Sequence, residues 1–170
     1  FKYHDLKVSD IKEIIVKTYP VAISFAGEIF RPVTAEEAKF SIPYCTCAAL
    51  AKRNLGLKEL ESEYLFDPEI IALTDKVKIV SDERLEGSNP KARGAELVIT
   101  LADGRVLKKR IELPRGEAET PVTKDELIKK FINCTSHYFS GDYAEKIIIN
   151  IFNIDETCNI NELIESLRKS

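Results

Sequence analysis

The stretch "GAELVITLADGRVLKKRIELP" (residues 94–114) decides the fold. Leu97, Ile99 and Leu101 alternate along its first arm, and Leu107, Ile111 and Leu113 share a parity along the second. A two-residue turn at Asp103-Gly104 would oppose Leu101 with Val106, Ile99 with Lys108 and Leu97 with Arg110, spoiling the apolar face. An odd-length loop, bulged at Gly104, keeps the six leucines and isoleucines together, because a one-residue slip turns a whole strand over. The spacing therefore predicts an antiparallel hairpin with an odd loop.

Upstream, "IKEIIVKTYP" (11–20) is rich in β-branched residues and reads as a strand from Ile11 to Lys17. Pro20 cannot donate to a ladder, so the strand is expected to end or bulge there. "VKIVSD" (77–82) reads as a further strand. Between them, "TAEEAKFSIPYCTCAAL" (34–50) begins with Thr34 and Glu37 at capping-box spacing, which starts a helix. Pro43 then removes an amide from the ladder, so either one helix kinks or a short helix over 35–41 gives way to a second. Phe40, Tyr44, Cys47 and Ala51 would share a face. "KELESEYLFDPEIIALTDKV" (58–77) reads as one or two short helices broken at Asp67-Pro68, and "RLEGSNPKARG" (84–94) as a polar loop.

A second capping box at Thr123 and Glu126 opens a helix over 123–139, with Leu127, Phe131, Cys134 and Tyr138 on its apolar side. Ile147, Ile148, Ile151 and Phe152 make a helical face, and Leu163, Ile164 and Leu167 mark a short last helix. The expected class is α+β: a sheet of three or four strands containing the antiparallel hairpin, packed with helices and followed by a C-terminal helical segment. Residues 1–120 form the α+β part. Residues 121–170 are short for a core of their own and are expected to dock on the first part or on a missing domain; in isolation they would leave apolar surface exposed or bury it through self-association.

Composition excludes several classes of function. Lys and Arg number 25 against 28 Asp and Glu, a net charge of -3 with no long block of either sign, which disfavours a nucleic-acid groove or a polybasic membrane anchor. No apolar run approaches the roughly 20 residues of a membrane span, and the charged start is unlike a signal peptide, so a cytoplasmic chain is expected. Phe1 is not an initiator residue, which suggests a fragment. Cys45, Cys47, Cys134 and Cys158 read as reduced packing thiols. The triplet Asn133-Cys134-Thr135 falls within a helix and reads as structure rather than as a glycan acceptor.

Candidates for chemistry are few. The two histidines, His4 and His137, lie far apart, and Cys45 and Cys47 point in different directions on a helix, so no metal site is expected. No glycine-rich phosphate cradle follows a strand. The Tyr44 phenol could orient a carboxylate or pass a proton, or it could be a packed ring with a satisfied hydroxyl. Lys91 and Arg93 could grip a carboxylate from their loop, or be solvated.

"EEAKFSIPYCTCAAL" (36–50) followed by "NPKARGAELVITLADGRVLKKRIELPRGEAETPVTKDELIKKF" (89–131), with a strand before and helices after, resembles the MmgE/PrpD family. That family includes 2-methylcitrate dehydratases, cis-aconitate decarboxylases and iminodisuccinate epimerases. The chain looks like the C-terminal part of a considerably longer member. The resemblance implies an enzyme whose site lies between a large helical domain and a smaller α/β domain, acting on small di- or tricarboxylic acids without metal or organic cofactor. It implies that the missing N-terminal helical domain is a partner, that residues 121–170 complete that domain, and that the protein is a homo-oligomer. The family's F/H-S-x-x-Y pattern falls on Phe40, Ser41 and Tyr44, which implies Tyr44 as a catalytic residue with Ser41, Lys91 and Arg93 at the substrate. Lys17 in "VKTYP" lies too close to the tyrosine helix to match the family's lysine segment. A stand-alone binding or interaction module derived from such an enzyme is the alternative, since most acid/base residues are absent.

Overall fold

A computed structural model describes residues 6–86, 93–156 and 159–168. Two compact units divide the chain, residues 1–121 and 122–170.

The first unit is built on a four-stranded mixed sheet in the order β2-β1-β3-β4. β1 (Ile11–Thr18) is central, parallel to β2 (Val77–Ser81) and antiparallel to β3 (Ala95–Leu101), which pairs in turn with β4 (Val106–Ile111). Ile99 opposes Leu107 and Thr100 opposes Val106, and the Leu101 amide donates to the Arg105 carbonyl at 2.9 Å, leaving the three-residue loop Ala102-Asp103-Gly104. Gly104 sits at φ +86°, a left-handed conformation that a side chain would strain. This is the odd loop that side-chain parity requires.

β1 carries a bulge at Lys12: Ile11 pairs with Leu101 and Glu13 with Thr100, leaving Lys12 as the extra residue. The bulge has a packing cause. In "IKEIIVKT" the buried apolar residues fall at Ile11, Ile14 and Val16, a spacing of three then two that an unbroken strand cannot keep on one face. The extra residue turns Ile11 back into the core beside Ile14 and Val16, all of them buried.

Helices α1 (Pro20–Ala26), α2 (Ala35–Lys39), α3 (Ile42–Lys52), α4 (Ser62–Leu65) and α5 (Pro68–Thr74) fill the connection from β1 to β2. Pro20 ends the strand as expected, and the structure adds that it also opens α1, with its fixed φ suited to a first helical turn. The break at Asp67-Pro68 has the same cause: Asp67 caps α5, accepting from the Glu69 amide at 2.9 Å and the Ile70 amide at 3.2 Å. One face of the sheet (Ile14, Val16, Ile99, Leu101) joins Tyr44, Cys47 and Ala48 of α3 and Ile70 and Leu73 of α5 in a single core. By register, the opposite face carries Glu13, Lys17, Lys78, Glu96, Lys108 and Arg110.

Gly94, just before β3, is required by close approach. A Cβ there would stand 3.0 Å from the Ile111 carbonyl oxygen and 3.1 Å from Leu85 Cδ2. The Thr18 hydroxyl donates to the Gly94 carbonyl at 3.1 Å, fixing the end of β1 against the start of β3.

The second unit holds α6 (Lys124–Thr135), α7 (Gly141–Phe152) and α8 (Ile160–Leu167). Thr123 and Glu126 make the full reciprocal box: the Thr123 amide donates to Glu126 Oε2 at 2.7 Å and the Glu126 amide to Thr123 Oγ1 at 3.2 Å. α6 ends four residues before the predicted limit, so Tyr138 is not on its apolar side; it stands 80% exposed in the turn beyond. The Tyr143 hydroxyl donates to the Ser166 carbonyl at 2.6 Å, tying α7 to α8. Ile147 and Leu163 are buried, whereas Ile151, Phe152, Ile164 and Leu167 remain substantially exposed.

Candidate functional site

The candidate residues Ser41 and Tyr44 meet where α2 gives way to α3. Two helices, rather than one kinked helix, occupy this segment. Thr34 caps α2, its hydroxyl accepting from the Glu37 amide at 3.2 Å, while the Glu37 carboxylate reaches the Val33 amide at 2.7 Å. Phe40 terminates α2 and points outward at 60% exposure, so it does not share the buried face of Tyr44 and Cys47.

Ser41 is the cap of α3 and Pro43 occupies its first turn, where a missing amide costs nothing. Both capacities of the Ser41 hydroxyl are used. It accepts from the Tyr44 amide at 3.0 Å and donates to the Ile29 carbonyl through a short hydrogen bond. One buried oxygen therefore starts α3 and fixes the segment that follows α1.

Tyr44 projects from the first turn of α3 into the core and is 1% exposed. Its hydroxyl donates to the Glu59 carbonyl at 2.6 Å, in the 3-10 turn Lys58–Leu60. Burial pushes the phenol up to about 12, and the charges of Cys45, Asp67 and Glu59 add to the effect. The Glu59 carboxylate bends back to accept from the Gly56 amide at 2.7 Å and Asn54 Nδ2 at 3.0 Å, which closes the turn around the phenol.

The neighbouring thiols pack. Cys47 is fully buried and burial pushes it up to about 12; the Cys45 thiol is raised for the same reason and donates to the Ala38 carbonyl at 3.2 Å. Neither has the depressed pKa that a thiolate nucleophile requires.

Arg93 is exposed at the residue before Gly94, and no hydrogen bond or ion pair joins it to Ser41 or Tyr44 among the described residues. Lys91, His4 and Cys158 lie outside the described residues. His137 is exposed in the turn after α6. Among the described residues, no three His, Cys, Asp or Glu side chains gather as metal ligands would, and no helix is long and apolar enough to cross a membrane.

Sequence reasoning missed a charged ladder on the open face of the sheet. Glu96 is 4% exposed and sits between Lys17 Nζ at 3.1 Å and Lys108 Nζ at 2.9 Å. Those ammonium groups, Lys108 first, hold its carboxyl below the usual range. Once the strand register is assigned, Lys17 falls directly opposite Glu96 and Lys108 one position diagonal to it, so pairing β1 with β3 was the available signal.

Comparison with known proteins agrees with this architecture. Residues 2–156 match the MmgE/PrpD C-terminal domain. Cis-aconitate decarboxylase of Mus musculus is 25% identical over 134 residues, and that of Homo sapiens 26% over 132 residues. Each alignment covers 76% of this chain and 27% of the relative, so the chain spans about a quarter of the length of these curated relatives. The chain belongs to the MmgE/PrpD family and represents its C-terminal domain region.

Proposed function

We propose that this chain is the C-terminal part of a cofactor-independent lyase or isomerase acting on small di- or tricarboxylic acids. The observation that carries the reading is the family match across residues 2–156, joined by two relatives named for cis-aconitate decarboxylation. The chemistry proposed is abstraction of a proton next to a carboxylate, followed by loss of water or carbon dioxide or by reprotonation, with the base supplied by an N-terminal helical domain. Residues 121–170 are assigned to completing that domain, the site to the cytoplasm, and the assembled protein to a homo-oligomer. The exposed apolar side chains of α7 and α8 support such covering.

Arg93, with Lys91 two residues before it, is proposed to hold substrate carboxylates. Tyr44 and Ser41 keep their place in the proposal in a changed capacity. As packed, both hydroxyls are engaged within the protein, so they act as positioning residues that set α3 and the 58–60 turn. Direct contact of Tyr44 with substrate requires release of the Glu59 carbonyl.

The same internal engagement favours the second reading, a non-catalytic binding module derived from such an enzyme. The test is exchange of solvent deuterium into 2-methylcitrate, cis-aconitate and related acids by a protein extended with the family's helical portion. Exchange or turnover supports the enzyme; binding of the acids with neither supports the module.

A further inference from the structure

We infer that the open face of the sheet, at the bulge of β1, carries a binding site for a small multivalent oxyanion, a phosphate ester or a polycarboxylate. This inference does not rely on the proposed enzyme function. An open cleft of about 520 Å³ lies where β1 and β2 begin and β3 ends, bordered by Lys12, Lys76, Lys78, Glu13, Asp75 and Thr100. That volume is within the usual range for small-molecule sites.

The bulge adds Lys12 to the two lysines, Lys76 and Lys78, that the start of β2 brings to the cleft. Register leaves Lys12 unpaired in the ladder, and it has no ion-pair partner among the described residues. Lys76 Nζ donates to the Ile11 carbonyl at 2.6 Å, and Lys78 Nζ pairs with Glu13 Oε1 at 2.6 Å. Each of these anchored ammonium groups retains two further N–H donors. Asp75 is already neutralised by Arg31 at 2.5 Å. Three lysines and Arg31 against Glu13 and Asp75 leave a surplus of two positive charges, the complement of a dianion. Thr100, opposite Glu13 across the β1–β3 ladder, adds a hydroxyl.

The test is isothermal titration of the 170-residue chain with pyrophosphate and, separately, with citrate at low ionic strength. The variants are Lys12→Ala, Lys78→Ala, Lys12→Arg and, as a control at an exposed position of α7, Lys146→Ala. Each alanine in the cleft is expected to weaken binding roughly two- to fivefold, the scale of one exposed charge pair. Lys12→Arg and Lys146→Ala are expected to leave it unchanged, and added salt to weaken it. Preference for pyrophosphate identifies a phosphate-bearing ligand, and preference for citrate a polycarboxylate. Failure of both anions to bind, or weakening by Lys146→Ala equal to that by the cleft variants, overturns the inference. Circular dichroism of each variant separates loss of the site from loss of the fold.

Discussion

Replacing Ser41 by alanine removes one oxygen that serves two elements. The α3 cap loses its bond to the Tyr44 amide, which costs about 1 kcal/mol at a typical N-terminus. The Ile29 carbonyl loses its donor in a half-buried setting, which costs about 1 kcal/mol more, rising to about 2 if no water replaces it. Together Ser41→Ala should destabilise the fold by about 2–3 kcal/mol. For a chain of this size that lowers the melting temperature by about 4–12 °C. Urea unfolding followed by far-ultraviolet circular dichroism is the appropriate assay, since the chain has no tryptophan. Ser41→Thr should recover most of the loss, because threonine keeps an oxygen at the cap. Ser41→Gly should fall between, since glycine costs a cap little but cannot reach Ile29. A loss below about 0.5 kcal/mol for Ser41→Ala would refute the clamp, because two hydrogen bonds in the interior cannot vanish so cheaply.

Gly94→Ala would set a methyl 3.0 Å from the Ile111 carbonyl and should cost about 1–3 kcal/mol through displaced backbone; an unchanged urea midpoint would contradict the close approach. Alkali should unfold the chain. Cys47 and Tyr44 stay protonated in the fold up to about 12 but ionise from 9.0 and 10.0 once unfolded, so the stability they support is intact below those values and is lost as pH rises through 12. Midpoints measured across that range should fall less steeply for Tyr44→Phe than for the parent. Glu96 has the opposite sign: its carboxyl is held below its ordinary 4.5, so its contribution is present above that value and lost as pH falls through its folded value. Glu96→Gln should therefore flatten the acid limb of the same unfolding experiment, and an identical acid limb would remove the Lys17–Glu96–Lys108 ladder from the account.

Parity and capping made much of the fold legible. The hairpin could be read because two arms of alternating leucines and isoleucines admit only an odd loop, and α6 could be read because Thr123 and Glu126 satisfy each other's amides. Helix α1 is hard to read because Pro20 breaks a strand and, with the same fixed φ, starts a helix. The bulge at Lys12 was written in the spacing of Ile11, Ile14 and Val16, which needs the partner strand before it can be interpreted. Side-chain direction was the least legible layer. Periodicity put Phe40 and Tyr44 on one face, but the helix between them stops and restarts at Ser41, so one turns out and the other in. The Ser41 cap was available from a serine directly before a proline-bearing first turn. The Glu59 carbonyl that receives the Tyr44 hydroxyl was not, because tertiary folding brings it there from fifteen residues away.

Catalytic complementation tests the central claim most directly. The purified 170-residue chain, and a mixture of it with a separately produced N-terminal helical portion of the family's enzyme, would be assayed for turnover of cis-aconitate and 2-methylcitrate. The account predicts no turnover by the chain alone and turnover in the mixture. Turnover by the chain alone would contradict the shared site, and a stable complex of the two parts that turns over neither acid would contradict the proposed enzyme.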